Sequence, residues 1–270
     1  MNPLRLTTVC LFWSVVAFAQ GSGSSSALPP LVRSARPAVP PAQGDMVHIA
    51  GRPLSEWFSG PSDERKPARY CGDFAIDRTE VTNEQFARVL NAADSNSVFH
   101  DPRMDILLVG PRRYESRLGR ENFPVTFVDW NGAYAFARWA GKSLPTEAEW
   151  MVAALGTRPD SAVAGPIQLE TSAVNGLNIE RIPHVVAAGA ASIYATSPLF
   201  DLAGNVAEWT NSEILVPAEN LPPLNMMVVK GGSYLDPPEN LTVAGRVLRA
   251  RTERLSSVGF RCIVRDADRR

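Results

Sequence analysis

A chain of 270 residues, 45% hydrophobic and 8% aromatic, has apolar material for one large core or two small ones, which excludes disorder along its whole length. Its 27 basic and 28 acidic residues leave a formal charge of -1, so no field is available to hold a polyanion, and nucleic acid is not an expected partner. No polybasic cluster or lipidation signal stands beside an apolar helix, so a membrane surface has no support beyond an uncleaved leader acting as an anchor.

The leader comes first in the chain. Residues 1–5 form a short positive segment, residues 6–18 are apolar but short for a bilayer span, and Ala17, Phe18 and Ala19 supply a small-x-small cleavage pattern. These features predict a signal peptide at 1–19 and an exported protein, periplasmic or secreted. A retained N-terminal anchor is the alternative. Cys10 lies inside the apolar run with no lipobox ahead of it. Its loss with the leader leaves Cys71 and Cys262. Two cysteines in an exported chain favour one disulfide, the alternative being two buried thiols. Residues 20–44 are Gly/Ser-rich and then Pro/Ala-rich, which predicts a flexible tether ahead of a folded unit at 45–266.

Within that unit, residues 74–81 read as a strand. Thr82 and Gln85 form a capping-box pattern opening a helix with Phe86, Val89 and Leu90 on its apolar face. A second helix is predicted from Asp129 or Trp130 to Ala140, closed by Gly141. Thr146 and Glu149 make another capping box, followed by Trp150, Val152, Ala153 and Ala154 and a stop at Gly156. Beyond it the helical period is lost, and the chain reads as Gly/Pro-punctuated loop with brief strands. The mixture predicts an α+β fold with long irregular connections.

Chemistry-bearing patterns are sparse. Asp201 and Glu208 lie seven residues apart around a glycine turn, which suits a hard cation such as calcium. Equally, Asp201 caps a turn and Glu208 pairs with an arginine. His48, His100 and His184 are scattered, and nucleophile-elbow, Walker and dinucleotide patterns are absent from the sequence. Asp236 and Glu239 form either a carboxylate pair near Arg246, Arg249 and Arg251 or a solvated, salt-bridged loop. Trp130, Trp139, Trp150 and Trp209 are expected in the core, whereas Trp57 and Phe58 suit either a core or a binding surface.

Seven motifs occur in a fixed order: M-V-H-I-A-G at 46–51, F-A-I-D-R-T-E-V-T-N at 74–83, F-P-V-T-F-V-D-W at 123–130, W-A-G-K-S-L-P-T-E-A-E-W at 139–150, D-L-A-G-N-V-A-E-W at 201–209, K-G-G-S-Y-L-D at 230–236 and G-F-R-C at 259–262. Together they resemble the formylglycine-generating enzymes, or sulfatase-modifying factors. The resemblance implies a loop-rich relative of the C-type lectin fold. It also implies a structural calcium on Asp201, Gly204, Val206 and Glu208, with main-chain oxygens from the middle two. A second calcium loop falls near residues 175–180, where the match is too poor to assign ligands. Pairing of the first and last strands is implied too, bringing Cys71 to Cys262 for a disulfide; many relatives carry a cysteine where Ala137 stands.

The family's copper-binding cysteine pair falls on Asp236 and Leu241, neither of which supplies the thiolate that soft copper(I) needs. Copper is therefore not expected. Without the histidine spacing of the family's iron-dependent sulfoxide-synthase branch, that chemistry is not expected either. What remains is an exported binding or accessory, maturation-type module for a protein, a peptide or a small exported metabolite. The alternative is a non-copper oxidase resembling the pyoverdine-maturation proteins, with Ser233, Tyr234, Asp236 and Glu239 as cleft candidates for its acid-base groups. Formylglycine generation itself requires a cysteine arrangement that the sequence does not suggest.

Overall fold

Side chains that satisfy the first backbone N–H groups start each α-helix. In the computed structural model, which describes residues 46–53, 70–155, 198–218, 221–237, 240–241 and 243–266, helix α1 spans Asn83–Ala92. Thr82 Oγ1 accepts from the Gln85 amide at 3.3 Å and Gln85 Oε1 from the Thr82 amide at 2.9 Å. Helix α2, Trp130–Trp139, begins with Asp129 accepting from the Gly132 amide at 2.8 Å, and the chain turns out of it at Gly141, whose φ of 69° favours glycine. In α3, Glu147–Leu155, Glu149 Oε2 accepts from the backbone and hydroxyl of Thr146. All three predicted helices start where their caps place them. Gly156, Trp57, Phe58, His184 and residues 175–180 lie outside the described residues.

The strands, in chain order, are β1 Met46–Ile49, β2 Arg52–Pro53, β3 Tyr70–Cys71, β4 Phe74–Asp77, β5 Ile106–Gly110, β6 Arg113–Ser116, β7 Ala207–Ala218, β8 Leu221–Lys230, β9 Arg246–Arg249, β10 Val258–Gly259 and β11 Ile263–Arg265. They form sheets ordered β1-β4-β11 and β10-β7-β8-β9, with two small pairs, β2-β3 and β5-β6. With three helices among them, this is the expected α+β class. One buried cluster gathers α1, α2, Trp209 and Phe260; the other gathers α3, Phe74, Ile76, Leu202 and Leu241. Phe86 and Phe136 stack at 6.0 Å, and Phe260 meets both edge-on, so motifs far apart in sequence share one aromatic core.

Three expectations are corrected. The strand expected over 74–81 ends at Asp77, because the chain leaves the ladder there and returns only through the Val81 amide, bonded to the Phe260 carbonyl at 2.9 Å. Strands β7 and β8, 12 and 10 residues long, replace the expected brief ones. Pro217, Pro222 and Pro223 mark their outer halves as loop, and exposed Leu215 and Leu224 hide the inside-outside alternation.

The third correction concerns the cysteines. The first and last strands do not pair; both flank β4, and Cys262 lies opposite Asp77, whose amide bonds to its carbonyl at 2.9 Å. Cys71 sits six residues before Asp77 on the same run. Cys71 pairs instead with Arg52 in the separate β2-β3 ladder, so no strand pairing sets it opposite Cys262. Both thiols are buried and unbridged, in different core clusters. Burial, with the Asp77 carboxylate adding to it, pushes the Cys262 thiol well above its ordinary range.

Candidate functional site

Strand β8 ends in Lys230, and the next two residues take left-handed backbone, φ 89° at Gly231 and 65° at Gly232. A Cβ on Gly231 would lie 2.9 Å from the Leu202 carbonyl oxygen, and one on Gly232 would lie 2.6 Å from Leu241 Cδ2. Two glycines are thus required for the 231–241 loop to close against the 201–205 loop and onto itself. The turn that follows is self-satisfied. Asp236 Oδ2 accepts from the Ser233 amide and hydroxyl, each at 2.8 Å, and the Asp236 amide donates to the Ser233 carbonyl at 3.0 Å.

Positions 236 and 241 meet at Gly232. The same Cβ that would lie 2.6 Å from Leu241 would lie 3.7 Å from Asp236 Oδ2. Leu241 is fully buried, at 0% exposure, so hydrocarbon fills one half of the pair and a hydrogen-bonded carboxylate stands at the other. Ser233 and Asp236 are brought together, as turn partners. Tyr234 is directed elsewhere: its amide donates to the Asn205 carbonyl at 2.9 Å and its hydroxyl lies 3.4 Å from Ser256 Oγ. Glu239 lies outside the described residues.

Beside this loop, Asp201, Gly204 and Asn205 adopt φ of 55°, 90° and 53°, a tight reversal that leads into Glu208 on β7. Glu208 faces Arg261, and neither side chain is more than 1% exposed. Glu208 Oε1 accepts from Arg261 Nη2 at 2.7 Å and Nε at 2.9 Å; Oε2 accepts from that Nε at 2.9 Å and from Trp150 Nε1 at 2.8 Å. The remaining guanidinium donors reach the carbonyls of Asp77, Arg78 and Phe200. Burial works against the Arg261 charge, but Glu208, with Glu80 and Asp201, holds it above its ordinary range.

That arrangement bears directly on calcium. A carboxylate offers about four lone-pair sites, and three N–H donors meet those of Glu208: Trp150 Nε1, Arg261 Nη2 and Arg261 Nε, the last shared between both oxygens. Calcium takes about six to eight oxygens, and of the set Asp201, Gly204, Val206 and Glu208, Glu208 is held here by Arg261 and Trp150. Of the two sequence-level alternatives for Glu208, the observed contacts match pairing with an arginine. Glu80 completes the cluster: its Oε1 accepts from Asn205 Nδ2 at 2.9 Å. Burial pushes its carboxyl well above the usual range, and the Asp201 charge adds to the rise.

A second buried charge was not anticipated. Lys230 has no exposed side-chain surface, lies 3.5 Å from Glu147 Oε1 and sits 5.5 Å from the Trp150 ring centroid. Arg246 takes the other Glu147 oxygen at 3.0 Å. Burial drives the Lys230 ammonium down to about 8, against the pull of Glu147. Local sequence gives little warning of either cation. Arg261 and Lys230 were legible only as letters inside G-F-R-C and K-G-G-S-Y, because their carboxylate partners come from remote segments.

Comparison with known proteins adds four findings. The family described as the sulfatase-modifying factor enzyme 1-like domain matches residues 43–266. Among curated proteins, a formylglycine-generating enzyme of Streptomyces coelicolor is 33% identical over 248 residues, covering 72% of this chain and 79% of that protein. The serine/threonine-protein kinase Pkn1 of Chlamydia trachomatis is 32% identical over 242 residues, and the match spans 82% of this chain but only 38% of the kinase. Among solved structures, the crystal structure of CarF superposes with a TM-score of 0.61 at 22% identity, covering 82% of this chain and 98% of CarF.

Proposed function

Because the chain belongs to the sulfatase-modifying factor enzyme 1-like family, with residues 43–266 matched, we propose that it is a copper-free member acting as a binding or accessory module. The observation that carries this is Leu241: at 0% exposure it packs against Gly232 where a copper pair would need a second thiolate. Copper(I) is soft and selects thiolate or thioether, so a hydrocarbon and a hydrogen-bonded carboxylate offer it no grip. In this proposal the buried Glu208 and Arg261 pair, rather than calcium, holds the 201–208 loop.

A closed turn at Ser233 and Asp236 favours recognition over acid-base catalysis, since their polar atoms are spent on one another. Export and a partner of protein, peptide or small-metabolite type belong to the same proposal, on the strength of the leader and of the missing thiols.

The direct test incubates tag-free protein with copper(I), oxygen and a peptide bearing the cysteine of a sulfatase motif, and reads aldehyde by mass. The expected result is an unchanged peptide and no stoichiometric copper. Aldehyde formation with one bound copper would overturn the proposal. An Asp236→Cys/Leu241→Cys variant is expected to gain copper(I), since both positions border Gly232.

A further inference from the structure

Strand register places three metal-ligating residues on one face of the β1-β4-β11 sheet. His48 on β1 and Val264 on β11 both pair with Ala75, from opposite sides of β4. Side chains two residues apart share a face, so Asp73 and Asp266 fall on the same side as Ala75, one step further along. The Asp266 amide bonds to the Asp73 carbonyl at 3.3 Å, which extends the β4-β11 ladder to that step. The opposite face carries Phe74, Ile76 and Ile263, buried against α3. Core packing thereby fixes which way the sheet turns and leaves the His48 face outward.

One ligand atom from each of His48, Asp73 and Asp266 lies within 4.8 Å of the other two. His48 Nε2 and Asp266 Oδ2 are 3.6 Å apart, beyond a good hydrogen bond. That spacing suits two ligands of one ion: zinc bonds of about 2.0–2.2 Å in a tetrahedron set neighbouring ligand atoms about 3.3 Å apart. Asp73 is oriented from behind, its Oδ1 accepting from the Gly51 amide at 2.7 Å, as ligating carboxylates commonly are. The Gly51 amide comes close because position 51 has no side chain: a Cβ there would lie 2.4 Å from the Cys71 carbonyl oxygen.

We propose that His48, Asp73 and Asp266 form a divalent transition-metal site, with zinc the best match. An imidazole ligand selects such ions over calcium or magnesium, and two carboxylates neutralise the double charge. Three protein ligands leave a fourth position for water or an outside donor. The ion clasps β1 to the end of β11, joining the first and last strands that β4 otherwise separates. Nothing in this site depends on the 231–241 loop, so it stands apart from the copper-free reading.

Tag-free full-length protein, stripped with chelator, is titrated with zinc chloride by calorimetry, then with cobalt(II) while the visible spectrum is followed. The expected result is one zinc with a Kd below about 10 μM, no calcium binding in the same range, and a tetrahedral cobalt spectrum without thiolate bands. His48→Ala and Asp266→Asn should each weaken zinc by at least about tenfold and abolish its effect on melting. Without metal, both variants should melt within about 2 °C of the parent, since these side chains lie outside the core. A Kd weaker than about 10 μM, or variants that bind zinc within tenfold of the parent, would overturn the site.

Discussion

Arg261→Met isolates the contact on which the 201–208 loop depends. In the parent, the guanidinium is fully buried, holds both oxygens of Glu208 and caps the carbonyls of Asp77, Arg78 and Phe200. Methionine fills most of the volume and returns none of these bonds. Glu208 is left buried with Trp150 Nε1 as its remaining donor, and stranding one member of a buried pair costs about 3–5 kcal/mol. For a folded unit of this size that corresponds to a drop in melting temperature of about 6–20 °C.

Urea unfolding with fitted midpoint and slope, in chelator and again with millimolar calcium, measures both the loss and its cause. The expected pattern is a lower midpoint at an unchanged slope, the same in either buffer. Pairing Arg261→Met with Glu208→Gln should recover at least about 1 kcal/mol of the summed single effects, because the two groups act through one another. A variant within about 1 kcal/mol of the parent would refute the ion pair as the support of this loop. Calcium that raises the parent's midpoint but not that of Glu208→Gln would refute it differently, by making Glu208 a metal ligand.

Two further outcomes follow from the buried charges and thiols. Lys230 keeps its proton only up to about pH 8 in the fold but up to about 10.5 when unfolded, so the unfolded state binds more protons between those values. Stability should therefore rise with pH from about 8 to 10.5, by at most about 3 kcal/mol, and Lys230→Met should flatten that rise; identical slopes in parent and variant would contradict the burial argument. Cys71 and Cys262, buried and not bridged, should both be alkylated in denaturant without prior reduction, read by peptide mass. A disulfide-linked pair of peptides would contradict the strand register.

Legibility in the sequence followed the range of the interaction. Thr82 with Gln85 and Thr146 with Glu149 span three residues, so their caps could be read from the letters and the helices begin accordingly. The Ser233 and Asp236 turn is equally local, its bonds spanning three residues. Glu208 and Arg261 are 53 residues apart, and Lys230 and Glu147 are 83 apart; nothing local distinguishes those cations from surface charges. The cysteine pairing failed for a related reason. The first and last strands are separated by β4 rather than paired, and a disulfide depends on register to within a residue or two, so Cys71 is not set opposite Cys262. The same insertion of β4 brings His48, Asp73 and Asp266 to one face. A histidine that looked isolated in the sequence therefore acquires two carboxylate neighbours only through the register of three strands.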